Sequence, residues 1–294
     1  MNTYWSQYVQ TSEELYRSRA LRFHDGNKDM WLGALGVKDD TDILEVGCGG
    51  GIFCHRLKQY LPGARVTGLD FDTGHIDYAR QKSAALGLDC AFVPGDALAL
   101  PFPDNSFDLC YSYTVMNFCE PNAFLAEQRR VLRPGGRIAV LNVNAGINSE
   151  HWKPDETSPE KELFDRLWAE ADKNELSQVK KISLQPRDYP VYLEKAGLRD
   201  IHMEVISYAH YNPDSSGVSE ETALEQINAN RLSELCSVQK ARAMAPAALT
   251  DAEYAHLVAL INERFDERIR KYKAGEKLWD FSACLVLCTS GVKA

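Results

Sequence analysis

The sequence predicts an α/β fold, a mostly parallel sheet covered by helices on both faces, with a helical segment added near the C-terminal end. Three observations carry that expectation. From residue 42 to about residue 142, short apolar runs alternate with amphipathic stretches at the pace of strand–helix–strand units. The first apolar run ends in a loop with glycine at 47, 49, 50 and 51, and open α/β sheets bind ligands at the carboxyl ends of their strands. The chain also closes on Asp280–Thr289, a run too apolar to stand alone, which therefore predicts a late strand rejoining the sheet.

The elements follow in order. Residues 11–24 read as a helix, with Thr11 and Glu14 spaced as a capping box and Leu15, Leu21 and Phe23 as apolar positions. Asp25-Gly26-Asn27 breaks the chain, and a short helix through Met30, Trp31 and Leu35 stops at Gly36. Asp42–Val46, Ala64–Asp70, Cys90–Pro94, Phe107–Ser112 and Arg137–Asn142 read as five strands. Between them Ile52–Tyr60, His75–Leu86 and Ala123–Leu132 read as helices, the last closed by Arg133-Pro134-Gly135-Gly136. Beyond the fifth strand, Thr157-Ser158-Pro159-Glu160 opens a helix carrying Leu163, Phe164, Leu167 and Trp168 on one stripe. Pro190–Ala196 is a helix ended by Gly197, followed by a strand over Ile201–Tyr208. Residues 219–242 and 250–273 are amphipathic helices, the second with the capping box Thr250-x-x-Glu253. The expected organisation is a helical cap over 1–36, a core over 37–212 and 278–294, and a helical insertion over 213–277.

Net charge is −9 with a pI near 5.4, which argues against a domain that grips nucleic-acid backbone. The N-terminus lacks a cationic start followed by an apolar core, and the longest apolar runs are strand-sized, so neither a secretory signal nor a membrane span is expected. The eight cysteines include no Cys-x-x-Cys pair and read as reduced thiols of a cytoplasmic protein, with Cys284 and Cys288 on one face of the last strand. No metal site is expected.

The glycine loop reads LEVGCGGG. Counted from Gly47, the third glycine of the dinucleotide pattern would fall on Ile52, and no Gly-Lys-Ser/Thr follows, so neither phosphate-binding fingerprint fits. Asp70 ends the second strand, placed to accept from two ribose hydroxyls, and Asp96 follows the third, where a carboxylate can accept from an exocyclic amine. Glu45 adds a third carboxylate beside the loop. Three carboxylates around one pocket repel a pyrophosphate and suit a nucleoside bearing an ammonium and a sulfonium.

Residues 42–142 resemble the class I S-adenosylmethionine-dependent methyltransferases, above all the branch holding the ubiquinone/menaquinone C-methyltransferases and many small-molecule methyltransferases. The motifs that carry the resemblance are ILEVGCGGG, VTGLD, VPGDALALPFPDNSFDLCYS and VLRPGGRIAVLN, in the family's order and spacing. The resemblance implies a Rossmann-like seven-stranded sheet with a reversed last strand, S-adenosylmethionine as cofactor and S-adenosylhomocysteine as product. By position it implies that Gly47, Gly49 and Gly51 approach the methionine and adenosine parts, with Cys48 and Gly95 in the same two loops. Glu45 would help place the ammonium and Asp70 would take the ribose hydroxyls. Phe71 would lie against the adenine, Asp96 and Ala97 would read its edge, and Tyr113 would line the methionine side.

The expected reaction is methyl transfer to O, N or C of a small molecule. The sequence lacks the Asn/Asp-Pro-Pro-aromatic segment of amino-methylating relatives after the fourth strand, where Ser112-Tyr113-Thr114-Val115 stands. Tyr4, Trp5, Tyr8, Tyr16, Trp152, Trp168 and Tyr189 make an aromatic-rich cover that suits an apolar or aromatic acceptor. His24, His151, His210 and Tyr189, with Asn142 and Asn144 at the end of the fifth strand, lie in segments that could face it, and none stands out as a general base. The insertion reads equally as a lid, a homodimer surface or a helical pair packed on the sheet. Two other readings stay open: a thiol or arsenite methyltransferase, from Cys54, Cys110 and Cys119, and a non-catalytic cofactor-binding regulator.

Overall fold

The computed structural model describes residues 11–143, 155–175, 182 and 184–294. Tyr4, Trp5, Tyr8, Asn144, His151 and Trp152 lie outside the described residues. A seven-stranded sheet in the order β3-β2-β1-β4-β5-β7-β6 organises the chain. Its strands are β1 (Asp42–Val46), β2 (Arg65–Asp70), β3 (Ala91–Pro94), β4 (Phe107–Tyr113), β5 (Leu132–Val143), β6 (Leu198–Tyr211) and β7 (Ser282–Lys293). The β1–β5 pairings are parallel, and β7 runs antiparallel to both β5 and β6. The strand order reverses between β1 and β4, so the carboxyl ends of these strands open a crevice there.

Apolar residues on both faces of β1 and β4 explain why these strands read as continuous runs. All five residues of β1 are buried, as are Leu109 to Tyr113 of β4. One face packs under α2 (Lys28–Leu35), α3 (Ile52–Tyr60) and α4 (Thr73–Leu86) through Trp31, Phe53, Leu57 and Ile76. The other packs under α5 (Pro121–Val131) and α7 (Asp188–Lys195) through Phe124, Leu125 and Leu193. Cys284 and Cys288 are both buried in the first of these cores, as their shared strand face predicts.

Several boundaries differ from the sequence expectation. β5 begins at Leu132 rather than Arg137, because Leu132 already pairs with Phe107 and a register shift in β4 between Phe107 and Leu109 absorbs the Arg133–Gly136 turn. β6 and β7 pair with each other from Leu198↔Lys293 to Tyr211↔Ser282, longer than either apolar run, since backbone ladder bonds continue past the last apolar side chain. α1 is Ser12–Ala20, shorter than 11–24. Thr11 caps it by accepting from the Glu14 amide, but the capping box is incomplete: the Glu14 carboxylate turns instead to Lys240 Nζ at 3.3 Å. The second predicted box, Thr250 with Glu253, is complete at the start of α9 (Asp251–Lys273).

The largest difference concerns α6 (Ser158–Glu175). It falls in the span expected to form the core, yet Leu163, Leu167 and Ala171 are buried with Ile227, Val238, Leu257, Ile261 and Phe265 of α8 (Glu220–Met244) and α9. A stripe of apolar residues states that a helix is covered on one side and leaves open what covers it. Here a helix from before β6 completes a small separate core with the two helices inserted between β6 and β7. α8 also packs on α1, through the Lys240–Glu14 pair.

Candidate functional site

The crevice at the reversal of strand order is a cavity of about 540 Å³, within the range of small-molecule and cofactor sites. The β1–α3 loop forms its floor. Gly47 and Cys48 donate their amides to Leu69 O at 2.7 and 2.9 Å, which folds the loop back across the end of β2. Gly47 has φ +78°, and a Cβ there would stand 2.4 Å from Val115 Cγ2, so both the backbone conformation and the close approach of the β4 end exclude other residues. Gly49 likewise has φ +51°, and its amide donates to Asp70 Oδ2 at 2.8 Å.

Of the eleven residues singled out in the sequence, ten line this cavity: Glu45, Gly47, Cys48, Gly49, Asp70, Phe71, Gly95, Asp96, Ala97 and Tyr113. Gly51 does not. It caps α3 with φ +81°, and a Cβ would press to within 2.7 Å of Phe92 and 2.9 Å of Ala79, so its smallness serves the packing of α3 and α4 against β3. Asp70 is half-buried and takes amides from Gly49 and from Asp72, the latter at 2.9 Å. Burial pushes its carboxyl up, with the two amides opposing. Asp96 is exposed and accepts the Leu98 amide at 2.8 Å, leaving its other oxygen available. Phe71 is 67% exposed at the cavity wall. An exposed phenylalanine beside a carboxylate pair is a surface on which a flat ligand can lie.

Glu45 is buried, and the Cys54 thiol donates to its Oε2 at 2.9 Å. Burial raises its carboxyl to about 7, with the Cys54 bond opposing. Near neutrality the group therefore stands poised between acid and carboxylate, and a cation arriving in the cavity would tip it to the charged form.

The structure adds lining residues that the sequence did not flag. Leu15 and Arg19 come from α1, and Phe53 from α3. His75 is also there, almost fully buried, with Nδ1 hydrogen-bonded to Ser12 Oγ at 2.8 Å. Among the described residues its Nε2 is buried without a hydrogen-bond partner, a costly state that a ligand would relieve. Thr114 has φ +61°, unfavourable for a β-branched residue, directly after Tyr113 at the end of β4. The only signal for these in the sequence was position: α1 precedes the first strand, and Thr114 and Val115 follow the fourth. His24, His210, Tyr189 and Asn142 do not line the cavity. Tyr189 instead donates its hydroxyl to Asn117 Oδ1 at 2.8 Å and accepts from Asn142, a buried polar link between α7 and the sheet.

The cysteines near the site are held as thiols. Cys48 and Cys54 are buried and raised well above the usual range, and Cys110 is raised by burial. Cys119, at the cavity rim, is pushed up to about 11 by burial first and by the charge of Asp96. Among the described residues no group of three or more His, Cys, Asp or Glu is placed to hold a metal ion, and no helix is long and apolar enough to cross a membrane.

Comparison with known proteins fits this geometry. Residues 44–140 match a family model described as a methyltransferase domain. A demethylmenaquinone methyltransferase of Thermus thermophilus is 44% identical over 100 residues, 34% of this chain and 46% of that protein. A malonyl-[acyl-carrier protein] O-methyltransferase of Serratia marcescens is 40% identical over 109 residues, 37% of this chain and 40% of that protein. The chain thus spans less than half the length of these curated relatives. Among solved structures, a phosphoethanolamine N-methyltransferase 2 of Haemonchus contortus in complex with S-adenosyl-L-methionine aligns with a TM-score of 0.56. It is 15% identical, over 99% of this chain and 59% of that one. The likeness extends over β6, β7 and the helices between them as fold alone.

Proposed function

We propose, from the premise that residues 44–140 of this chain belong to the methyltransferase domain family, that the protein is an S-adenosylmethionine-dependent methyltransferase of a small-molecule acceptor. The observation that carries this reading is the convergence of Glu45, Asp70 and Asp96, from the ends of three adjacent strands, with the Gly47–Gly49 turn in one cavity. A cavity ringed by carboxylates selects a cationic nucleoside over a phosphate-bearing one.

The residues present fit the cofactor. The positive-φ glycines leave no side chain between the loop and a ligand, and His75 Nε2 offers an unused polar atom. Asp70 would accept from the ribose hydroxyls, Phe71 would cover the adenine, and Asp96 with Ala97 would read its edge. Glu45 would face the ammonium, and Tyr113 would line the methionine side. When bound, S-adenosylmethionine supplies a methyl group made electrophilic by the sulfonium and leaves as S-adenosylhomocysteine. The protein's share is to hold the acceptor atom in line with that methyl and to exclude water, so orientation supplies most of the rate. Among the described residues no histidine or carboxylate beyond the cofactor set lines the cavity except Asp72 and His75, and we assign no general base.

The acceptor face is apolar. Leu98 and Phe118 are large, partly exposed side chains at the rim, and Leu15, Phe53 and Val115 line the wall. This supports an acceptor with an apolar or aromatic body. α8 rests on α1, which itself forms part of the wall, and this favours the insertion acting as an outer brace of the cap over its acting as a dimer surface. The eight unpaired cysteines support a reducing compartment such as the cytoplasm. The raised thiols give no support to a thiolate-based arsenite chemistry.

The test is incubation with methyl-labelled S-adenosylmethionine and a metabolite extract, followed by identification of the labelled product. Tight cofactor binding with no labelled product from any extract would overturn the enzyme reading in favour of a binding protein.

A further inference from the structure

The two edges of the sheet are treated unequally. At one edge β3 has only four residues and ends on Pro94, so little main chain is left unpaired there. At the other edge β6 has fourteen residues and carries no proline, lysine or glycine. Its bulges, between Arg199 and His202 and between Ala209 and Tyr211, stand near its two ends and leave His202–Ala209 in regular register with Ser290–Ala283 of β7. Among the described residues no backbone hydrogen bond from outside the β7 ladder reaches that stretch. A long row of main-chain donors and acceptors without a neighbouring strand is a template for one. The side chains are open as well. Val205 pairs with Leu287, which packs in the core under α5 and α7, so Val205 and Met203 share that face. They are 56% and 40% exposed. On the opposite face the side chains of His202 and Glu204 are 62% and 39% exposed and stand 4.0 Å apart.

We infer that β6 is a dimerisation edge, on which a second copy of this chain adds its own β6 antiparallel and joins two seven-stranded sheets into one. The charges of the strand suit this partner. A two-fold axis normal to the sheet sets one residue of β6 opposite itself and its two neighbours opposite each other. Centred on Met203, it sets His202 against the Glu204 of the second copy, twice over. On the other face it sets Met203 against Met203 and Val205 against Ile201, so the exposed apolar side chains cover one another. The adjacent registers are opposed. Centred on Glu204, two carboxylates face each other, and centred on His202, Glu204 faces Asp200. The same axis turns the second cavity to the opposite edge of the joined sheet, so neither mouth is covered. The inference does not depend on what the cavity binds.

The experiment is sedimentation velocity of the full chain from about 1 to about 100 µM, with hydrogen exchange of the β6 amides over the same range. The variants are Val205→Lys, His202→Glu, Glu204→Lys and the double change His202→Glu with Glu204→Lys. At the upper end the parent should sediment at twice the 33.0 kDa of one chain, and the outward amides of 202–205 should slow as concentration rises. Each single change should weaken association roughly tenfold or more, because the two-fold repeats every unfavourable pair. The double change restores opposite charges in the same register and should recover most of that loss. At the dilute end all variants should melt with the parent, which separates a lost contact from a damaged fold. A parent that stays monomeric throughout overturns the inference, and slow β6 amides in that monomer would show the edge covered within one chain. A dimer indifferent to all three single changes overturns it by placing the contact elsewhere. So does a double variant no tighter than the weaker of its two singles.

Discussion

Two arginine-centred regions of this molecule treat charge in opposite ways. At the junction of α9 with the start of β7, Arg268 is 3% exposed and reaches Asp214 at 2.8 Å and Asp280 at 2.7 Å. Asp214 also takes the amides of Leu278 and Trp279, and Asp280 takes the Tyr211 hydroxyl at 2.6 Å. Nearby, Arg264 pairs with Glu160 of α6 and Glu234 of α8, tying three helices together. At the cavity wall Arg19, with Arg22 behind it on the Tyr113 ring, has no carboxylate within ion-pair distance among the described residues, and among the same residues Glu45 has no cationic partner and the Nε2 of His75 no hydrogen-bond partner. The lesson is that desolvated charge is satisfied by the chain where it holds the helices on the sheet, and left for a ligand where the cavity opens.

The strongest way to break this comparison is Arg268→Leu. It leaves two buried carboxylates unpaired, and we expect a loss of about 3–5 kcal/mol in urea unfolding. A loss near zero would mean the paired cluster is no more structural than the cavity arginines.

Glu45 sharpens the comparison through pH. Its folded-state value of about 7 lies above the unfolded value of 4.5, so the folded chain holds that proton more tightly across this window. The stability contributed by its neutral form is complete below the lower value and is lost as pH rises through the upper one, on the order of 3 kcal/mol. Urea midpoints at about pH 5 and about pH 8 should therefore diverge in the parent chain and converge in Glu45→Gln. Equal divergence in both would dismiss Glu45 as the source.

Asp70→Ala comes next. It should weaken S-adenosylhomocysteine by about 1.5–3 kcal/mol through lost hydrogen bonds to the ribose, while calorimetric binding changes far more than thermal stability. Unchanged affinity would refute the ribose assignment. Smallest is Thr250→Ala, away from both regions. Removing the side chain that caps α9 should cost about 1 kcal/mol in stability, with cofactor affinity untouched. A change in affinity there would show that the helical layer and the cavity are coupled.

Much of the site was legible in the sequence because its residues sit at strand ends, where chain order and position in the fold coincide. Glu45, Gly47 and Gly49 flank the end of β1, Asp70 ends β2, Asp96 follows β3 and Tyr113 ends β4, so strand periodicity alone brings them to one edge. Gly51 was legible as a glycine that had to be small, but not as one whose added Cβ would meet Phe92 and Ala79. Arg19, His75 and Thr114 were not legible. A lone arginine on a helix reads as solvated, and a lone histidine as packing, until one sees what lies opposite.

The sequence by itself determined the alternating strands and helices, the loop that rejects a phosphate pattern, and the carboxylates gathered at the strand ends. These follow from local periodicity and backbone stereochemistry, which need no knowledge of distant partners. Only the tertiary structure decided that α6 joins α8 and α9, that Glu14 leaves its cap for Lys240, and that Arg19 and Arg22 meet at the Tyr113 ring with no acid beside them among the described residues. Each of those depends on which groups far apart in the chain end up within a few ångströms, and on whether burial leaves a charge with a partner or without one.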